Sequence, residues 1–188
     1  MSAPPDVRAT GLRSVLIVEP VVHRDGRGFF LESYNAAMFA RGGVDRPWVQ
    51  DNHSRSNRDT VRGLHLQCRR QQAKLVRVTR GEVFDVAVDV RRGSPSFLEW
   101  TGCLLSEDNF RQLFIPRGFA HGFCVVSETA EVQYKCDEYY DGDDELAIAW
   151  NDPQIGIDWP IEEPLLSGRD RAAPTIAGCF EQLPTFSW

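Results

Sequence analysis

Glu82-Val83-Phe84-Asp85-Val86-Ala87-Val88-Asp89-Val90 decides how this chain is read. Phe84, Val86, Val88 and Val90 recur at every second position, whereas a helical face repeats every three to four residues. The stretch therefore predicts a half-buried strand, with Asp85 and Asp89 on its other face and Arg80-Gly81 as a tight turn before it. Working outward, similar short runs lie at 15–18, 29–33, 74–78, 100–105, 112–115, 123–126, 130–134 and 147–150. Glycines and prolines separate them, including Gly63, Gly93-Ser94-Pro95, Pro116 and Gly142. Many short strands at close spacing predict a sandwich or barrel of antiparallel sheets. One short helix is expected from Ala36 to Ala40, capped by Asn35 and ended by Gly42-Gly43. From Asn151 onward, Pro153, Pro160, Pro164, Pro174 and Pro184 predict loops and helical turns wrapping the core. No repeat or linker divides the 188 residues, so a single domain over 1–188 is expected, its core at about 15–174.

Composition narrows the function. Lys and Arg number 21 against 27 Asp and Glu, a net charge of −6, which argues against nucleic acid as a partner. No apolar run approaches the roughly 18 residues of a membrane span, and the first residues lack a signal-peptide pattern, so a cytoplasmic protein is expected. The five cysteines, Cys68, Cys103, Cys124, Cys136 and Cys179, are scattered without CxxC spacing and read as reduced thiols.

The four histidines are His23, His53, His65 and His121. Pro116-Arg117-Gly118-Phe119-Ala120-His121 fits a PxGxxH pattern that resembles the second motif of the cupin superfamily of small β-barrels. Its first motif usually offers HxH and a following Glu, but here His65-Leu66-Gln67 stands in that place. Two histidines and a glutamine are a weak ligand set, and no metal is expected. In Arg62-Gly63-Leu64-His65-Leu66-Gln67, alternation puts Gly63, His65 and Gln67 on one face, with Arg62 on the other unless a bulge intervenes.

Together these segments resemble the dTDP-4-dehydrorhamnose 3,5-epimerase family. The resemblance rests on Asp25-Gly26-Arg27-Gly28-Phe29-Phe30-Leu31-Glu32, Val49-Gln50-Asp51-Asn52-His53-Ser54, Val61-Arg62-Gly63-Leu64-His65-Leu66-Gln67 and Lys74-Leu75-Val76-Arg77. It continues through Gly81-Glu82-Val83-Phe84-Asp85, 115–123 and Trp150-Asn151-Asp152-Pro153, in order along nearly the whole chain. The resemblance implies a mainly β, cupin-like jelly-roll barrel with a few short helices, needing neither metal nor organic cofactor. It implies inversion of C3 and C5 of dTDP-4-dehydro-6-deoxy-glucose on the route to dTDP-rhamnose and cell-surface polysaccharide. By motif, His65 matches the general base, Tyr134 the proton donor, Asp170 the carboxylate orienting the histidine, and Lys74 the lysine near the keto oxygen. Arg27, Glu32, Gln50, Asn52, Arg62, His121 and Glu145 match nucleotide or sugar contacts. Arg169 stands where the family commonly has lysine; the charge is kept while the hydrogen-bond geometry differs. A homodimer is implied, with the N-terminal arginine segment reaching the neighbouring subunit's site, and Arg27, Arg62 and Arg169 are expected to cluster around the diphosphate.

These groups suit the chemistry. Both carbons flank the C4 ketone, so losing either proton leaves an enolate. Inversion then needs a base on one face, an acid on the other, and a cation at the oxyanion. Histidine with a reference pKa near 6.5 takes a proton at neutral pH, and tyrosine near 10 is there to return one. Three other readings stay open at this point. One is a relative inverting a single carbon for another deoxysugar. Another is a metal-dependent cupin oxygenase using His65, His121 and Gln67, and the third a non-catalytic sugar-nucleotide-binding module.

Overall fold

A computed structural model describes residues 4–186. Its strands are β1 (Asp6–Ala9), β2 (Leu16–Glu19), β3 (Val22–Asp25), β4 (Gly28–Leu31), β5 (Gln50–Asn57), β6 (Val61–Gln67) and β7 (Lys74–Arg80). They continue with β8 (Glu82–Asp89), β9 (Trp100–Ser106), β10 (Gln112–Ile115), β11 (Phe119–Val125), β12 (Thr129–Cys136) and β13 (Glu145–Ala147). The helices are α1 (Ala36–Arg41), α2 (Gly168–Arg171) and α3 (Ile176–Cys179). A six-stranded sheet runs β1-β2-β10-β7-β12-β5, and a five-stranded sheet runs β13-β6-β11-β8-β9. All their pairings are antiparallel. This is the jelly-roll arrangement, made of two facing sheets rather than one sheet closed into a continuous barrel.

Three apolar layers hold it together. Val76, Leu113 and Val132 of the larger sheet meet Val83, Ala87 and Phe123 of the smaller one between the sheets. Val86, Val88 and Val90, with Phe84 packed against them, turn to the outer face of the smaller sheet, where Ile155, Ile176 and Leu183 of the C-terminal segment cover them. Val18, Leu75 and Phe114 form the outer layer of the larger sheet, under Phe39 of α1. The β8 expectation is corrected here. Its alternation is as read, but from Asp85 to Asp89 neither face meets water: Asp85 and Asp89 are both 0% exposed, and Asp85 reaches His121 on β11. A strand covered on both sides by sheet and C-terminal chain has no solvent face left for its aspartates.

Several elements differ in detail. The polar Gln50-to-Asn57 stretch is the edge strand β5, which hydrophobic alternation overlooked because its inward residues are Asn52, Ser54 and Ser56. The 29–33 run is half of a hairpin, β3–β4, that pairs with neither large sheet. The 147–150 run shares only Ala147 with the short strand β13, which lies just before it and ends there. The Asn35 cap is as read, its side chain accepting from Met38 N, and α1 stops at Gly42. The C-terminal region forms turns, α2, α3 and a one-turn 3-10 helix at Phe180–Gln182. Among the described residues no helix is long and apolar enough to cross a membrane.

Candidate active site

The site grows from one irregularity in β6. On β11 one residue lies between the partners of His65 and Arg62, namely His121 and Phe123, whereas on β6 two lie between His65 and Arg62, so β6 carries one extra residue. Gly63 sits at that point with φ 111°, and a Cβ there would lie 2.6 Å from His121 O. The bulge turns Arg62 toward the larger sheet, where it stays exposed while its Nε donates to Ser56 Oγ of β5 at 2.9 Å.

His65 Nε2 donates to Asp170 Oδ1 at 2.6 Å. Asp170 comes from α2, where Ser167 caps the helix and also donates to Asp170 Oδ2 at 2.8 Å. Burial would raise this carboxyl; the bonds from His65 and Ser167 overcome that and hold it below the ordinary aspartate range. An ionised Asp170 requires the His65 proton on Nε2, leaving Nδ1 as a lone pair.

Facing this pair, the larger sheet supplies Lys74 of β7 and Tyr134 of β12. Lys74 Nζ lies 5.9 Å from the Tyr134 ring centroid, and the His121 ring meets Tyr134 edge-on at 6.4 Å. Burial pushes the Tyr134 hydroxyl up to about 12, with Cys136 and Glu145 adding to the effect, so it stays protonated at neutral pH. Burial lowers Lys74, opposed by Cys136, Glu145 and Asp85. The imidazole–carboxylate pair and the protonated phenol thus come from opposite sheets, with a lysine beside the phenol.

At the mouth, Arg169 pairs with Glu145, its Nη2 also donating to Glu145 O at 2.9 Å, and the Tyr140 hydroxyl donates to Glu145 Oε2 at 3.0 Å. Gln50 Nε2 donates to Asn52 Oδ1 at 3.0 Å, and Asn52 Nδ2 to Cys136 Sγ at 3.6 Å. Arg27 and Glu32 stand apart. Arg27 is exposed in the β3–β4 turn, bonded to Asp25 at 2.6 Å, and Glu32 lies next to the α1 cap within 3.5 Å of Asn35. The expected cluster of Arg27, Arg62 and Arg169 is therefore not assembled: Arg62 is an exposed residue bonded to β5, Arg169 lies at the mouth, and Arg27 is on the hairpin.

Gln67 takes a different place from the one the oxygenase reading gave it. Its Nε2 donates to Arg70 O at 2.7 Å and Tyr139 O at 3.3 Å, and its Oε1 accepts from Asp141 N at 2.7 Å. Both nearby imidazoles have Nε2 bound to a carboxylate, His65 to Asp170 and His121 to Asp85. That ligand set is committed elsewhere. Sequence reasoning missed Asp85, read as solvent-facing, and Tyr140, which sits in a loop without periodic signal. An aspartate inside an otherwise apolar strand was the available clue to Asp85.

An imidazole–carboxylate pair on one sheet, faced by a protonated tyrosine and a lysine on the other, defines an acid–base isomerase on a jelly-roll frame. The profile of the dTDP-4-dehydrorhamnose 3,5-epimerase family matches residues 9–178, and the chain belongs to that family. It is 54% identical to the dTDP-4-dehydrorhamnose 3,5-epimerase of Pseudomonas aeruginosa, covering 88% of this chain and 94% of that one. It is 52% identical to that of Neisseria gonorrhoeae over 92% of this chain, spanning about half (53%) of that longer relative. A crystal structure of dTDP-6-deoxy-D-glucose-3,5-epimerase from Legionella pneumophila, in complex with dTDP-4-keto-L-rhamnose, superposes with a TM-score of 0.94 at 45% identity. It covers 98% of this chain and 100% of that one.

Proposed function

We propose that the chain is an epimerase acting on dTDP-4-dehydro-6-deoxy-glucose, with His65 as base, Tyr134 as acid, Asp170 as orienting carboxylate and Lys74 at the ketone. The observation that carries this reading is the 2.6 Å His65–Asp170 bond on the wall opposite the half-buried Tyr134. His65 Nδ1 takes the proton from C5 or C3, and the C–H electron pair moves onto the C4 oxygen. Lys74 Nζ stabilises that oxyanion, where one donor is worth roughly 3–4 kcal/mol. Tyr134 returns a proton to the opposite face, and solvent then reprotonates the phenolate and relieves the imidazolium. Acid–base groups so placed contribute about 10²–10⁴-fold each.

Gln50, Asn52, Arg62, His121, Glu145 and Arg169 bind sugar or nucleotide in this reading, with Arg62 and Arg169 supplying positive charge for the diphosphate. Arg27 and Glu32 serve a partner's site. Their hairpin carries Phe29 and Phe30, 58% and 67% exposed, an aromatic surface that a second copy would cover. The reading sets the protein in the cytoplasm, in keeping with five free cysteines.

Incubation with the 4-keto sugar nucleotide in deuterated water, the product trapped by a reductase, tests this. Deuterium is expected at both C3 and C5, with inversion at both. Label at one carbon alone would make the protein a single-carbon epimerase. His65→Ala should lose exchange at both carbons, and wild-type exchange in that variant would remove His65 as base. Tyr134→Phe should retain exchange but lose inversion at C5.

A further inference from the structure

Asp85 is fully enclosed in the middle of β8. Its Oδ1 accepts from His121 Nε2 at 2.9 Å, and among the described residues its Oδ2 is buried without a hydrogen-bond partner. A carboxylate oxygen left unpaired in a closed interior is costly, so an apolar core would be better served by another residue. The surroundings are chemical rather than apolar. His121 is the register partner of His65, and its ring meets Tyr134 edge-on at 6.4 Å. Two imidazoles thus stand side by side on neighbouring strands, each with Nε2 bound to a carboxylate from a different element: α2 for His65, β8 for His121. One pair belongs to the reaction already described; in the other, His121 has a binding role while Asp85 has none.

We propose that Asp85 is a positioning residue for this reaction. It holds the proton on His121 Nε2, so that His121 Nδ1 is presented as an acceptor for a hydroxyl of the sugar, and it keeps Oδ2 as a counter-charge for Lys74. Burial lowers His121, with Asp85 opposing, consistent with a neutral ring that has a free lone pair. The charges of Asp85 and Lys74 also act on each other, Asp85 joining Cys136 and Glu145 in opposing the desolvation of the ammonium. The inference rests on the epimerase reading for the identity of the sugar, while the hold on the His121 ring does not.

The test uses full-length Asp85→Asn and Asp85→Ala. The amide of Asp85→Asn still accepts from Nε2–H but carries no charge; Asp85→Ala removes both functions. Nitrogen-15 NMR of the histidine rings, with His121→Gln to assign the signal, reads the tautomer without turnover. In the wild type at neutral pH the His121 ring is expected to be protonated at Nε2 alone. That pattern should persist in Asp85→Asn and give way to a tautomer mixture in Asp85→Ala. On the sugar nucleotide, Asp85→Ala should lose about 10²-fold in kcat/KM, the scale of a misplaced contact. Asp85→Asn should keep KM within twofold and lose kcat. The affinity for dTDP, which lacks the sugar, should change less than twofold in both. Where Asp85→Ala lowers the folded yield, Asp85→Asn carries the test. A wild-type His121 protonated at Nδ1, or an Asp85→Asn variant with unchanged kcat, would overturn the proposal. An inactive wild type with the Nε2 tautomer would instead overturn the epimerase reading and leave the hold on His121 standing.

Discussion

Gly63 is the residue on which the site turns. Its φ of 111° suits glycine, and an added Cβ would stand 2.6 Å from His121 O and 2.7 Å from Gly122 Cα, both backbone atoms unable to yield. Gly63→Ala is expected to lower stability by about 2 kcal/mol or more. Its activity should fall further than stability explains, because Arg62 and His65 flank the bulge. Thermal melting beside kcat/KM checks this; unchanged activity would mean the bulge is incidental. At this scale the sequence was informative about identity and weak about direction. His65 and Tyr134 stood out through their motifs. Arg62 looked outward by strict alternation, and Asp85 looked solvated. Both directions depend on strands distant in the chain, which alternation within one strand does not register.

Among elements, the loop after β12 is held by side-chain amides from elsewhere. Gln72 Nε2 donates to Glu138 O at 2.8 Å, Gln67 serves Tyr139 O and Asp141 N, and Gln50 Oε1 accepts from Tyr140 N at 2.9 Å. These bonds set Tyr140 beside Glu145 and Arg169. Loss of the clamp in Gln67→Ala should raise KM about tenfold while kcat stays within twofold, since the reacting groups lie deeper; steady-state kinetics decide it. Strand β8 supplies a second case at its end. Asp89 accepts from Arg91, Ser94 and Ser96, its Oδ2 lying 2.5 Å from Ser94 Oγ. Burial would raise its carboxyl, yet those bonds hold it below the ordinary value, so the fold binds fewer protons in acid than the unfolded chain. This contribution is complete above the unfolded value near 3.9 and is lost as pH falls through the lower folded value. Denaturant melts of Asp89→Asn should therefore show a deficit at pH 7 that shrinks below about pH 4 relative to wild type. A pH-independent deficit would contradict it. The strands with apolar alternation were legible within a few residues. Strand β5 was not, because its inward side chains are polar and serve the interior rather than an apolar core.

Across the whole molecule, the two sheets divide the labour. The smaller carries His65, His121 and Asp85, the larger Lys74 and Tyr134, and the C-terminal segment brings Asp170 back to β6. Asp152 fixes that segment, accepting from Gln154 N at 2.8 Å and Ile176 N at 2.7 Å. Arg27 has no such place among the described residues of this chain, which supports the proposed role in a neighbour's site. Mixing inactive His65→Ala and Arg27→Ala proteins should then restore roughly a quarter of wild-type activity, because half the dimers are mixed and each has one complete site. No recovery on mixing would return Arg27 to its own subunit. The sequence by itself determined the β class, the short capped helix, the proline-broken wrapping segment and the family, because periodicity and collinear motifs are local or ordered along the chain. Only the tertiary structure decided that β8 is buried on both faces from Asp85 to Asp89, that a bulge turns Arg62 toward β5, and that Asp85 meets His121. Those outcomes depend on which strands lie opposite one another, and the contacts concerned join residues far apart in sequence.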